Sequence, residues 1–288
     1  MEYQLHIGNH AYSSWSLRGW LLFERFGLSV RTHEVDFIDG PVAEQMASLP
    51  PAVTVPTLVT PEGAVVWDSL AIAEELASRH PEAGHWPTDP AARATARSLT
   101  AEMHSGFATL RNTCPMNLRV AHTGVEMTQG LRADLDRLEA IFTHARKTCG
   151  GDGPWLCGDY SVADAFYAPV AARIAGYSLP VGPVTAAYAA AHLDDPAFRR
   201  WRAIGLVRGA TLERYAQDLP LTTWPGPAPL QAAALNVGTP ENALCPYSGR
   251  PVTHLARIDG RIFGFCNAAC RDKTVADPLA WPAFAALL

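Results

Sequence analysis

Around residues 81–90 the hydrophobic pattern changes its period, and this change constrains the fold more than any other feature of the chain. Before it, short strand-like runs alternate with amphipathic ones. Gln4-Leu5-His6-Ile7 reads as a strand and 8–14 as a polar loop, after which Leu17, Trp20, Leu21, Leu22 and Phe23 recur at helical spacing up to a stop at Gly27. A second strand spans 30–37, a short helix 42–48, and Thr57-Leu58-Val59 forms a hairpin with 64–67 across the turn Pro61-Glu62-Gly63. Asp68 or Ser69 then caps a helix carrying Leu70, Ile72, Ala73 and Leu76 to about Arg79. After the change, 91–218 is helical almost throughout: a long amphipathic stretch over 91–118, a stripe of Leu131, Leu135, Leu138, Ile141 and Phe142, and further helices near 184–191, 196–204 and 210–217. Between them, Ser161-Val162-Ala163-Asp164 reads as a capping box. The pattern predicts an α/β domain over 1–80 and an all-helical domain over 90–218, joined by the Pro- and His-rich link 81–90.

Those two bodies leave residues over. Pro220, Pro225, Pro227, Pro229 and Pro240 mark 219–240 as an extended linker, and 241–288 is a small appendage holding Cys245, Cys266 and Cys270. Composition excludes several functions. A formal charge of −5 without a Lys/Arg block argues against nucleic acid as a partner. With 48% hydrophobic and 18% charged residues the chain is not disordered. No run approaches the roughly 18 apolar residues of a membrane span. The start Met1-Glu2-Tyr3-Gln4 lacks the layout of an export signal, so the expectation is a cytoplasmic protein with reduced cysteines.

The local motifs are more specific. The loop Tyr12-Ser13-Ser14-Trp15-Ser16-Leu17-Arg18 lies between the first strand and helix, followed by Val55-Pro56-Thr57-Leu58 and then Asp68-Ser69-Leu70-Ala71-Ile72. In this order, and with the Ser161–Asp164 box behind them, they resemble the glutathione S-transferase family over about residues 3–217. The resemblance implies a thioredoxin-like N-terminal domain, an all-α C-terminal domain, glutathione as cosubstrate, a small electrophile and a homodimer. It implies that Ser13, with Ser14 as second candidate, holds the glutathione thiolate. Val55 and a cis Pro56 would meet the cysteinyl part, and Asp68 and Ser69 the γ-glutamyl end. The Ser-Ser loop is similar to that of the zeta class, which raises cis–trans isomerisation of a maleylacetoacetate-like acid as an alternative. Trp15 stands where that class has Cys, which disfavours mixed-disulfide chemistry. Val53-Thr54 replaces the family's Gly-Lys, so one contact to the glycyl carboxylate is missing, with His33 or Gln45 as substitutes.

The physical chemistry is consistent with that resemblance. A thiol with a pKa of about 8.5 is mostly protonated at pH 7, and each unit of lowering requires about 1.36 kcal/mol. A hydrogen bond to a charged acceptor supplies roughly 1.5–3 kcal/mol, and a helix N-terminus about 0.3–1 kcal/mol more. One serine at the start of the first helix therefore suffices; otherwise the serines simply cap it. By the same resemblance the second substrate lies against Met103, His104, Phe107 and Arg111, with Met116 and Asn117 further along. Met103 and Phe107 also have the spacing of core positions, and Arg111 that of a surface charge.

In the tail, Cys245, Cys266 and Cys270 are spaced C-x20-C-x3-C, with Phe265 before the second Cys and Pro278-Leu279-Ala280-Trp281 trailing. This resembles the YHS/TRASH group of small metal-binding modules. Soft thiolates suit zinc or copper(I). Ser248 occupies the usual place of a further Cys, leaving His254 as fourth ligand or the site open; a metal-free hydrophobic knuckle is the alternative. Cys245-Pro246-Tyr247-Ser248 also looks like a monothiol glutaredoxin site, but too little chain follows it to build a thioredoxin fold. A non-enzymatic glutathione-binding protein with a metal-binding tail is the rival from outside the enzymes.

Overall fold

Alternating apolar residues build the first layer. Leu5 and Ile7 are fully buried in β1 (Tyr3–Gly8), which leads into α1 (Ser14–Glu24) and β2 (Val30–Val35) in a computed structural model that describes residues 2–288. A one-turn α2 (Val42–Gln45), the hairpin β3 (Thr57–Val59) and β4 (Val65–Trp67), and α3 (Ser69–Arg79) complete the unit. The sheet order is β2-β1-β3-β4, with β1 parallel to β2 and antiparallel to β3, the mixed layer of a thioredoxin-like domain. Gly19 brings α1 directly onto Pro56, where a Cβ would lie 2.9 Å from the proline ring.

The all-helical domain follows: α4 (Pro90–Ser105), α5 (Ala108–Thr113), a two-residue β5 (Ala121–His122), α6 (Gln129–Cys149), α7 (Val162–Gly176), α8 (Pro183–Asp194) and α9 (Pro196–Val207). Every residue of α7 is buried, and it packs against α1, α4 and α8 as the central post. Its N-terminus is fixed by Asp164, whose carboxylate accepts from the Ser161 N–H at 2.9 Å, the Leu156 N–H at 3.1 Å and the Tyr188 hydroxyl at 2.9 Å. The capping box read from sequence is present and anchors two neighbouring segments as well.

Two expected helices are corrected. The stretch 91–118 is not continuous: α4 ends at Gly106, and Phe107 adopts φ 57° before α5 begins. A Cβ at Gly106 would lie 2.6 Å from the Glu102 carbonyl, and Asp134 of α6 accepts the Leu110 N–H at 2.8 Å, so a tertiary contact steadies the second piece. The helix expected over 210–217 is only a 3-10 turn, Glu213–Tyr215. Gly209 turns the chain at φ 72°, and the Arg119 guanidinium takes the Gly205 carbonyl at 2.9 Å and the Gly209 carbonyl at 2.7 Å, ending α9 there.

The Pro-rich segment is not a bare tether. Its β6 (Leu221–Thr222) pairs with β5, Trp224 packs against the helical core, and β7 (Ala232–Leu235) forms one edge of the tail's sheet. That sheet continues through β8 (His254–Ile258) and β9 (Arg261–Phe265) and is backed by α10 (Ala268–Ala276) and a short α11 (Pro282–Ala285). Phe263, Phe265, Trp281 and Phe284 make its core, which also includes Ala203 and Ile204 of α9. Among the described residues no helix is long and apolar enough to cross a membrane.

Candidate functional site

The loop after β1 is held by both domains. Tyr12 and Ser13 donate their N–H groups to the Asn9 carbonyl at 3.0 and 2.9 Å. The Trp201 indole donates to the His10 carbonyl at 2.7 Å, and Leu118 donates to the Ala11 carbonyl at 3.0 Å. The loop delivers Ser13 as N-cap of α1 and Ser14 as its first residue.

Their hydroxyls differ. Ser13 is 6% exposed; its Oγ accepts the Ser16 N–H at 3.3 Å and donates to Ser16 Oγ at 2.8 Å, while Ser16 Oγ also accepts the Gly8 N–H at 2.9 Å. The Ser13 hydroxyl is thus used within the cap. Ser14 is half-buried, and its Oγ accepts from Arg173 at 3.4 Å, so its own proton is uncommitted.

Two cavities flank this loop. One, of about 330 Å³, is lined by Trp15, Thr54, Val55, Pro56, Asp68 and Ser69. The Val55–Pro56 peptide is cis. Asp68, at φ 76°, accepts the Leu70 N–H through Oδ1 at 2.8 Å, and its Oδ2 lies 3.2 Å from His104 Nε2. Ser69 opens α3 with its side chain 1% exposed and its hydroxyl without a partner. A buried hydroxyl at a helix N-terminus, left unpaired beside a cavity, suits an incoming anion.

The other cavity, of about 370 Å³, shares Trp15, Thr54 and Val55 with the first, so the two adjoin. Tyr12, Ser13, Ser14, Phe37, Arg111, Met116, Arg173 and Tyr215 line the rest. Arg111 stacks on Trp15 at 4.7 Å, and Arg18 lies on the same ring at 4.3 Å. Burial, then the charges of Arg173 and Arg111, lowers Arg18 to about 9; burial, then Arg111, lowers Arg173 to about 10.

Of the residues read for a second substrate, Arg111 and Met116 line this cavity. Met103 and Phe107 are buried in the core, and His104 is turned toward Asp68 and the Trp15 ring. The break at Gly106 explains the shift, since it ends the helical register on which those residues were placed together. Gln45 donates to the Asp36 and Gly40 carbonyls at 2.7 and 3.1 Å, and His33 is stacked on His6; neither residue lines the two cavities. Arg173 was missed; a single arginine within the otherwise apolar run of α7 was the available signal.

In the tail, the Sγ atoms of Cys245, Cys266 and Cys270 lie within 4.8 Å of one another, with Cys266 and Cys270 3.9 Å apart. Ser248 donates to Cys266 Sγ at 3.2 Å. Burial alone would raise the Cys245 thiol, but N–H groups of Cys266 and Tyr247 and the Ser248 hydroxyl and N–H outweigh it and bring the thiol down to about 7. Burial and the neighbouring Cys245 push Cys270 up to about 11. His254 stands outside this cluster, with Nδ1 2.9 Å from Thr253 Oγ1.

Comparison with known proteins agrees with this geometry. Residues 12–79 match the glutathione S-transferase N-terminal domain family. A probable maleylacetoacetate isomerase of Caenorhabditis elegans is 29% identical over 175 residues, 59% of this chain and 78% of its own. A glutathione transferase homologue from Burkholderia gl BGR1, solved with bound glutathione, superposes with a TM-score of 0.52 at 21% identity, covering 70% of this chain and 96% of its own. The Omega 2C glutathione transferase of Trametes versicolor gives 0.54 at 19% identity, covering 74% and 97%. Residues 12–79 are thus a glutathione S-transferase N-terminal domain, and the two-domain fold built around it is that of solved glutathione transferases.

Proposed function

We propose that this protein binds glutathione along the smaller cavity and transfers its sulfur to a small electrophile held in the larger one. The observation that carries the reading is the unpaired, buried Ser69 hydroxyl beside Asp68 and the cis Val55–Pro56 peptide, all lining one cavity. The γ-glutamyl carboxylate fits Ser69 at the α3 N-terminus, and its ammonium fits Asp68. The thiol then falls near the N-terminus of α1, where the free proton of Ser14, rather than the occupied one of Ser13, is available to the sulfur. The test is a glutathione titration with wild type and Ser69→Ala, followed by conjugation assays across an electrophile panel. Saturable binding weakened about tenfold or more by the substitution, with turnover of some electrophile, supports the reading. Unchanged affinity in Ser69→Ala overturns the assigned site, and binding without turnover favours a non-enzymatic role.

The likeness to a probable maleylacetoacetate isomerase supports a second reading, glutathione-dependent cis–trans isomerisation. It is distinguished by product formation without consumption of glutathione.

For the tail we propose a soft metal ion, zinc or copper(I), held by Cys245, Cys266 and Cys270. Tetrahedral zinc with Zn–S of about 2.3 Å separates its sulfurs by about 3.8 Å, close to the 3.9 Å between Cys266 and Cys270. Such an ion would tie the loop at Cys245 to the start of α10. Metal analysis of the purified chain and of Cys266→Ala tests this: metal in the first and loss in the second supports it, and none in either refutes it.

A further inference from the structure

Two of the six cysteines meet away from both the serine loop and the tail. Cys149 ends α6, and Cys157 lies in the loop that leads to the α7 capping box. Glycines fold that loop back on itself. Gly150 and Gly158 take φ of 51° and 94°, Trp155 and Gly158 pair as an antiparallel bridge, and a Cβ on Gly151 would lie 3.1 Å from Gly158 Cα. This close approach brings the two thiols within hydrogen-bonding reach, and both cysteines line one cavity of about 250 Å³. Trp86 and Tyr160 also line it; Trp86 Nε1 and the Tyr160 hydroxyl are buried without a partner, in a tyrosine only 8% exposed. Buried polar groups left unpaired are uncommon, and beside a cavity they can receive a polar guest. The charged residues of the lining are Asp89 and Asp159. Cys149 is partly exposed, whereas Cys157 is 4% exposed. Burial, then the hydrogen bond with Cys149, pushes the Cys157 thiol far up, so Cys149 is the one that meets a reagent first.

We propose that Cys149 and Cys157 form a reversible dithiol–disulfide site, oxidised by a small disulfide that enters this cavity. The Cys149 thiolate attacks one sulfur of the small disulfide, which forms a mixed disulfide and expels one small thiol. The Cys157 sulfur then attacks the Cys149 sulfur, and its proton passes to the second small thiol as that leaves. Two electrons move from the chain to the small disulfide, the chain loses two thiol hydrogens, and two small thiols are formed. The closed ring ties the end of α6 to the segment whose Leu156 N–H is accepted by Asp164, so it joins α6 covalently to the cap of α7. Neither cavity beside Ser13 and Ser14 contains these cysteines, and the site is independent of the glutathione chemistry proposed there.

Trypsin, cutting after Lys147 and Arg173, releases 148–173 as one peptide with these two cysteines and no other. Cystamine, a disulfide whose ammonium ends suit Asp89 and Asp159, is the probe. The native full-length chain is challenged with excess cystamine, quenched in acid, alkylated, digested and weighed by mass spectrometry. In the wild type the peptide should lose two hydrogens and resist alkylation, and dithiothreitol should restore both thiols. Cys157→Ala should halt at the mixed disulfide on Cys149, raising that species about tenfold or more above the wild type, where the neighbouring thiol resolves it. Cys149→Ala should leave Cys157 reduced. A wild-type peptide still alkylated at both cysteines overturns the proposal, and so does a wild-type chain that stops at the mixed disulfide. Thiolation of Cys157 in Cys149→Ala as fast as that of Cys149 in the wild type overturns the order of attack. The decisive reading is made on the wild type, so the folding of the variants does not bear on it.

Discussion

Replacing each serine of the loop separately should divide stability from chemistry. Ser14→Ala removes a hydroxyl that caps nothing: its oxygen accepts one long hydrogen bond from Arg173. A hydroxyl hydrogen bond to a thiolate contributes roughly 1.5–3 kcal/mol, so its loss raises the bound thiol's pKa by about 1–2 units. At neutral pH the thiolate fraction, and with it the single-turnover conjugation rate, should fall about 10–100-fold. Melting should hardly change. Ser13→Ala has the opposite profile. It removes the acceptor for the Ser16 N–H and the donor to Ser16 Oγ inside the fold, the loss of a helix cap worth about 1 kcal/mol. The melting temperature should drop by roughly 2–4 °C, with thiolate formation disturbed only as far as the loop shifts. Thiolate absorbance near 240 nm, followed against pH with glutathione bound, measures the pKa directly. An unchanged thiol pKa in Ser14→Ala, together with a raised one in Ser13→Ala, would refute the assignment and return the role to the cap serine.

Other consequences are equally measurable. Burial, reinforced by the positive charge of Arg25, pushes His192 down to about 3. A histidine depressed in the folded state contributes stability above its unfolded pKa of about 6.5 and loses it as pH falls toward the folded value, at up to about 1.36 kcal/mol per pH unit. Urea melts between pH 7 and 5 should show this slope, and His192→Asn should flatten it. Asp164→Ala strands the Ser161 N–H, the Leu156 N–H and the Tyr188 hydroxyl in a fully buried site. At about 1–3 kcal/mol for each stranded group the loss should be roughly 4 kcal/mol or more, read as a lower urea midpoint. Asp277→Ala removes the carboxylate that accepts from Arg199 at 2.8 and 2.7 Å, so the tail module should undock more often; limited proteolysis within 219–240 should accelerate while the melting of the remaining body stays cooperative.

Much of this was legible because local chemistry and tertiary structure agree in the first 80 residues. The strand alternation at Leu5 and Ile7, the Ser-Ser loop, Val55-Pro56 and Asp68-Ser69 are short-range signals, and the structure arranges the last three around adjoining cavities. What the sequence concealed depends on distance along the chain. Whether Ser13 or Ser14 has a free proton is decided by Ser16 on one side and by Arg173 on the other, 159 positions away. Because α7 is buried on every face, its periodicity marks no functional side, and the lone arginine at 173 does not show which way it faces. The break at Gly106 hides for a related reason: both halves keep an amphipathic pattern, and the first turn of the second is held through the Leu110 N–H by Asp134 from another helix. Likewise β7 is an Ala-rich run without alternation, and it becomes a strand only because β8 offers an edge.

The tail gives the clearest case of a charged surface that is an interface. Read alone, Arg199, Arg200 and Arg202 make α9 look solvent-facing. In the fold each joins a distant part of the chain. Arg199 holds Asp277 of the tail, and Arg200 reaches both the Ala280 carbonyl and Glu24 at the end of α1. Arg202 takes the Leu118 carbonyl and stacks on Trp224 of the Pro-rich segment at 4.3 Å. On the same helix Trp201 fixes the His10 carbonyl, and Gly205 lets the backbone of Ala11 pack closer than a side chain would allow, since a Cβ there would lie only 3.0 Å from Ala11 N. Ala203 and Ile204 meanwhile enter the core of the cysteine module. One helix thus supports the loop carrying Ser13 and Ser14 and also seats the Cys245, Cys266 and Cys270 module. Guanidiniums suit that position because they pack their flat faces and stems against apolar groups while their forked N–H groups bind carboxylates and carbonyls from several segments at once.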